Sequence, residues 1–153
     1  MIWRTEWSAM ELSFKDAAAG GREFLSDGYL EELRKHFSLS YTRMATYLHT
    51  NSRTLKRWMA EPGFAANIHD TTAARIGQFA YDLIMKIKEF REQGVEVNDL
   101  YPLSLLAGQL GRSVTSPSFQ RMCQSGEITC YDMDFLGVYI PVSQVDQLRK
   151  AKR

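Results

Sequence analysis

Residues 45–58 read Ala-Thr-Tyr-Leu-His-Thr-Asn-Ser-Arg-Thr-Leu-Lys-Arg-Trp, and the order of small, apolar, turn-forming and basic side chains here decides the fold. Ala45 is small enough for two helices to approach over it. Leu48 is placed to plug the space between them. A short turn follows, and a second helix then carries Leu55 and Trp58, three apart and therefore on one face. Arg53, Lys56 and Arg57 fall on the opposite side.

Charge is distributed to match. The whole chain carries +1, but residues 33–60 hold six basic side chains (Arg34, Lys35, Arg43, Arg53, Lys56, Arg57) and no Asp or Glu, so this window carries +6 and the remainder −5. Basic residues concentrated on one helix point to nucleic acid in a way that the overall balance does not. The ordinary alternative is a solvated helix face. Charge and spacing together favour a helix-turn-helix whose second helix enters the major groove of double-stranded DNA.

Working outward, Asp27 is placed to cap a helix to about His36, with Leu30, Leu33 and Phe37 inward. Ser40 caps a second helix through Leu48, and Thr50 or Asn51 opens a third that Glu61-Pro62-Gly63 stops near Ala60. These three helices form a compact trihelical unit. Upstream, Trp3, Trp7, Met10 and Phe14 recur at helical intervals, and Gly20-Gly21 is expected to end that helix. Downstream, Ile76, Phe79, Ala80, Leu83, Ile84, Ile87 and Phe90 keep one apolar stripe along a helix from Asp70 to Gln93, closed by Gly94. The stripe reads as a spine between two units or as a core helix of one larger domain.

The last third changes character. Short helices are expected over 103–111 and 118–125. Strands are expected over 128–133 and 138–142, with a turn at 134–137 and Pro141 on an edge strand. Ser143 is expected to cap a final helix, with Val145 and Leu148 inward. Ala107-x-x-Leu110-Gly111 echoes Ala45-x-x-Leu48-His49. The residue after Leu suits a left-handed backbone, which glycine adopts freely and histidine tolerates better than most.

The fold class is therefore mostly α. A helix-turn-helix domain spans 1–66, a linking helix 67–98, and a small α/β unit with a β-hairpin 99–153. The chain's 44% hydrophobic and 12% aromatic residues are enough for packed cores. No apolar stretch is long enough for a bilayer, and Glu6 and Glu11 interrupt any leader pattern, so no membrane partner and a cytoplasmic location are expected. Cys123 and Cys130 read as reduced thiols rather than a disulfide, and they form no zinc site. Ser104, His69 and the acidic residues make no catalytic constellation, and no phosphate-cradling loop is present. No enzyme activity, metal or cofactor is expected.

Residues 27–62 resemble the helix-turn-helix of phage-repressor-like regulators, most closely at Thr54-Leu55-Lys56-Arg57-Trp58. The stretch from Ser116 to Ile128, followed by a hairpin and a helix, resembles the winged helix-turn-helix of excisionases and MerR-type regulators. It differs by a longer turn after Gly111 and by Asp132 and Asp134 in the hairpin. The whole layout is similar to the immunity repressors of temperate mycobacteriophages. That resemblance implies a transcriptional repressor in a bacterial host, reading an extended asymmetric site with two units. A monomer on DNA is expected, with a dimer as the alternative. By analogy Asn51, Ser52, Arg53, Lys56 and Arg57 occupy the reading positions. Arg53 or Arg57 would pair with guanine, and Asn51 would read adenine or hold a phosphate. Ser40, Tyr41, Thr42 and Arg43 would meet the phosphate backbone. In the second unit Arg112, Ser116, Ser118 and Arg121 stand on the DNA-facing side, unless that unit serves dimerisation or a partner. The competing readings are an excisionase-like architectural factor and a protein-interaction adaptor.

Overall fold

A computed structural model describes residues 12–111 and 117–151; Trp3, Trp7, Met10, Arg112 and Ser116 lie outside them. The fold is mostly helical with one small antiparallel sheet, and the chain divides into two compact units at Gln93–Gly94. The long helix expected to link two units is thus counted with the first.

In the first unit α1 spans Phe14–Ser26, α2 Tyr29–His36, α3 Tyr41–Tyr47 and α4 Ser52–Ala60; a 3-10 turn at Pro62–Ala66 leads into α5, Asp70–Glu92. The caps of α3 and α4 are those the sequence suggests, Ser40 and Asn51, whereas α1 is capped by Ser13, a position that the spacing from Trp3 to Phe14 places inside a helix; each of the three accepts a hydrogen bond from the backbone N–H three residues on. Asp27 is not the N-cap of α2, a position taken by Gly28 at φ 76°. Asp27 instead ends α1 and accepts from the Tyr29 N–H at the start of α2.

Gly20-Gly21 does not end α1. The helix runs through both, because Gly21 is needed where α1 meets α5. A β-carbon on Gly21 would lie 1.8 Å from the Ala73 carbonyl oxygen, and one on Gly77 would lie 1.9 Å from that of Ala17. Each helix therefore places a glycine against the other's backbone. Ala17, Ala18, Ala73 and Ala74 are buried alongside, with Leu12 and Ile68 packed against them. Two helical glycines cost about 1 kcal/mol each in propensity; close packing of the two backbones offsets this. Arg22 fastens the crossing by donating to Asp70 at 2.5 Å and to the Ile68 carbonyl at 2.9 Å.

The junction of α3 and α4 is closely packed. Ala45, Leu48 and Leu55 are all but inaccessible. Beyond Leu48 the chain turns through His49 at φ 56°. The Thr50 N–H donates to the Ala45 carbonyl at 2.9 Å and the His49 N–H to that of Thr46 at 3.2 Å, the paired bonds of a Schellman end. A residue with a β-carbon is strained there. We expect His49→Gly, whose exposed side chain has little to lose, to raise stability by about 0.5–1 kcal/mol. Chemical denaturation checks this, and an unchanged or lower midpoint would contradict it.

In the second unit a 3-10 turn at Val97–Asp99 leads into β1 (Leu100–Pro102) and α6 (Leu103–Gln109). Then come α7 (Pro117–Gln124), β2 (Tyr131–Asp132), a 3-10 turn at Asp134–Leu136, β3 (Val138–Pro141) and α8 (Val142–Ala151). The sheet order is β1-β3-β2, antiparallel throughout, with Leu100 opposite Pro141 and Tyr131 opposite Tyr139. Its core joins Leu103, Leu106 and Ala107 of α6 and the C-cap residue Leu110 to Ile128, Ile140, Val145 and Leu148.

Four expectations change here. Pro141 sits at the end of the central strand, because Leu100–Pro102, masked in sequence by its proline and its brevity, supplies another edge. Only Tyr131 and Asp132 of the strand expected over 128–133 pair; Ile128 enters the core instead. Helix α8 begins at Val142, so Ser143 lies inside its first turn. Finally, Cys123 and Cys130 are joined as a disulfide, with α-carbons 5.8 Å apart. Gly126, at φ 77°, reverses the chain between them, so a separation of seven in sequence becomes adjacency in space.

The echo between the units holds at the backbone. Gly111 has φ 69°, and its N–H bonds to the Gly108 carbonyl at 3.2 Å, as that of His49 does to Thr46.

Candidate nucleic-acid interface

Helix α4 is anchored from one side. Leu55 is fully buried and Trp58, expected inward with it, is half-buried, while Arg53, Lys56 and Arg57 are exposed. These cations stand three and four residues apart with no acidic residue in the helix. Like charges at those spacings cost a few tenths of a kcal/mol per pair. Helix stability alone would not favour this face; an anionic partner would reverse the sign.

The surroundings differentiate the three. The Arg57 guanidinium lies 4.7 Å from the centre of the Phe64 ring, in the turn that follows α4. The Lys56 ammonium lies 5.2 Å from that of Tyr41. Such cation–π contacts hold a charge in place and leave its N–H donors available. Among the described residues the exposed Arg53 side chain has no hydrogen-bond, ion-pair or ring partner.

Tyr41 is the hub beside them. Its hydroxyl donates to Glu31 at 2.9 Å, and the Arg34 guanidinium covers its ring at 4.1 Å. Arg34 in turn grips both carboxylate oxygens of Glu31 and donates to the Leu39 carbonyl at 2.9 Å. Burial alone would raise the Glu31 carboxyl, but hydrogen bonds from Arg34 and Tyr41 outweigh it and hold the group below its usual range. Burial and the bond to Glu31 raise the Tyr41 hydroxyl, so Tyr41 stays a neutral donor. Arg34, one of the six cations in the basic window, thus braces α2 against α3. Sequence reasoning missed Glu31, Arg34 and Phe64 as members of the site, because their roles depend on long contacts; the spacing of Glu31 and Arg34 at i and i+3 was the one available signal.

The remaining positions are placed as follows. The Asn51 side-chain oxygen is committed to the Thr54 N–H at 2.8 Å, which leaves its amide nitrogen as a donor. Ser52 is half-buried at the start of α4. The Ser40 hydroxyl accepts from the Arg43 N–H at 3.1 Å, and Thr42 is exposed next to it. Arg43 is half-buried, with Nε donating to the Tyr47 hydroxyl at 3.3 Å; Tyr47 stacks on Phe79 of α5. In the second unit Arg121 is exposed on α7, and Ser118 belongs to α7 with its side chain outside the described set. Asp132 and Asp134 are exposed around the hairpin turn, where Asp132 accepts from the Asp134 N–H at 2.8 Å.

Among the described residues no three His, Cys, Asp or Glu side chains are grouped to hold a metal ion, and no helix is long and apolar enough to cross a membrane. No protein-family model, curated protein or solved structure matches this chain.

Proposed function

We propose that the chain is a sequence-specific double-stranded DNA-binding protein acting as a transcriptional repressor, with α3 and α4 as its helix-turn-helix. The exposed Arg53–Lys56–Arg57 face of α4, on a helix anchored by a buried Leu55, carries the reading. Arg53, the least engaged of the three, suits a bidentate approach to guanine O6 and N7; Lys56 and Arg57, steadied on aromatic rings, suit phosphates at the groove edge. The hydroxyls of Ser40 and Thr42 and the Arg43 guanidinium would meet the backbone from the start of α3. Tyr41, tied into α2, positions Lys56 and is not itself proposed as a contact.

The second unit resembles a winged helix-turn-helix in order: α6, a left-handed Gly111, α7, then the β2–β3 hairpin. Its exposed Arg121 supports a second contact with the duplex, whereas Asp132 and Asp134 make the hairpin a poor phosphate grip. Two linked readers on one chain would recognise an extended asymmetric site and gain affinity through effective concentration.

Selection of bound duplexes from a random pool tests this directly. The intact chain is expected to enrich a defined motif without two-fold symmetry. Failure to enrich any sequence would overturn specific recognition, and a palindromic motif would replace the monomeric, two-reader arrangement by a dimer.

A further inference from the structure

We propose that Tyr101, Gln109 and Arg149 form an anion-binding site on the second unit that takes a phosphate of the duplex backbone. The site lies apart from the residues assigned on α4 and α7, and its ligand rests on the DNA-binding reading above. Three elements supply it. The Tyr101 side chain, in β1, is half-buried and packs against the core made by α6, Ile128, Ile140 and α8. Gln109 is exposed on α6, whose Leu106 and Ala107 face inward, and Arg149 is exposed on α8 next to the inward Leu148. Their polar ends meet at the surface. The Arg149 guanidinium donates to the Gln109 side-chain oxygen at 3.3 Å, and the Gln109 amide nitrogen donates to the Tyr101 hydroxyl oxygen at 2.9 Å.

Both bonds run one way. The row starts on a cation and ends on the Tyr101 O–H, which has no acceptor among the described residues. Such a row polarises along its length and makes its last proton a stronger donor. It keeps spare N–H and O–H groups and so invites an acceptor. The Asp146 carboxylate, 4.0 Å from Arg149 and largely exposed, makes too loose a contact to satisfy the guanidinium. Hydrogen bonds to a charged acceptor are about twice as strong as neutral ones, so an anion gains most here. Charge distribution selects a polyanion at this end of the unit. Residues 122–148 hold Glu127, Asp132, Asp134 and Asp146 and no Lys, Arg or His, whereas four of the six cations in residues 94–153 are Arg149, Lys150, Lys152 and Arg153. Lys152 and Arg153 lie outside the described residues and count by charge alone. Phosphates are repelled along the hairpin and drawn to the end of α8.

Fluorescence anisotropy of the intact chain, on the selected motif and on a random duplex of equal length across about 50–200 mM salt, is the test. Arg149→Ala should weaken both duplexes alike, about five- to tenfold, and flatten the salt dependence by about 1. Tyr101→Phe keeps the ring in the core and removes only the donor; it should cost about threefold on both duplexes and leave the salt dependence unchanged. Arg149→Lys should regain the parent's salt dependence. Unaltered affinity in both Arg149→Ala and Tyr101→Phe would overturn the site while the reading by α4 stands, whereas a parent that binds no duplex would overturn both. A loss on the motif but not on the random duplex would make these residues base readers and overturn the phosphate assignment. A loss on single-stranded DNA alone would overturn the duplex as ligand.

Discussion

Gly77→Ala should destabilise the first unit by about 3 kcal/mol or more, although the same change in an open helix is favourable. Alanine exceeds glycine in helix propensity by about 1 kcal/mol, so α5 by itself would gain. The added methyl, however, would stand 1.9 Å from the Ala17 carbonyl oxygen and 2.9 Å from the Gly21 nitrogen. Both are backbone atoms in the middle of α1, and no rotamer change moves them away. The helices would have to separate by roughly 1.5 Å to restore ordinary contact distances. That opens the interface around Ala17, Ala18, Ala73 and Ala74, which then lose their close contacts together. For a unit of this size the melting midpoint should fall by roughly 10–20 °C. Gly108→Ala is the control: Gly108 lies in α6, and a β-carbon there meets nothing within 4 Å, so the expected change is neutral to favourable. Thermal and denaturant melts of the two variants should diverge in sign, and a Gly77→Ala protein as stable as the parent would refute the close crossing.

The triple variant Arg53→Ala, Lys56→Ala, Arg57→Ala is expected to remain folded and to lose specific DNA binding by about 3 kcal/mol or more, upwards of a hundredfold. All three side chains are exposed, and their removal relieves repulsion along α4 while giving up the contacts of Lys56 with Tyr41 and Arg57 with Phe64, so melting should be little changed. Two consequences separate base reading from general attraction. If all three meet duplex charge, the dependence of log affinity on log salt should flatten by about 2–3. Restoring Arg53 alone should recover preference at one base pair, whereas restoring Lys56 alone should recover affinity evenly across sequences. Filter binding at several salt concentrations, with the selected motif and single-base variants, measures both. A triple variant that binds the motif as tightly as the parent would remove α4 from the interface.

Much of the first unit was legible before any coordinates. Capping side chains and apolar spacing act within a turn or two of where they stand, so Ser40, Asn51, Leu48 and Leu55 announce α3, α4 and their seam. His49 could be read as a left-handed position because only a few side chains tolerate one. The basic face of α4 was equally plain, since periodicity alone separates it from Leu55. The chemistry around that face was not. Which cation braces the fold and which faces outward depends on Glu31, Tyr41 and Phe64, and short-range patterns do not record such pairings.

By itself, the order of residues determined where most helices lie, the caps of α3 and α4 and the amphipathic sides of α4 and α5, because those follow from local backbone preferences and a repeating interval. Tertiary structure alone decided what the glycines and cysteines do. Gly20-Gly21 looks like a helix stop until Gly77 supplies a backbone to press against. Cys123 and Cys130 look like separate thiols until Gly126 folds one back on the other. Pro102 and Pro141 stand in a strand pair, Leu100 opposite Pro141 and Tyr101 opposite Ile140, that no local pattern announces. A missing side chain, a thiol or a proline acquires its role from whatever lies opposite in space, and that neighbour is chosen by the packing of the whole unit.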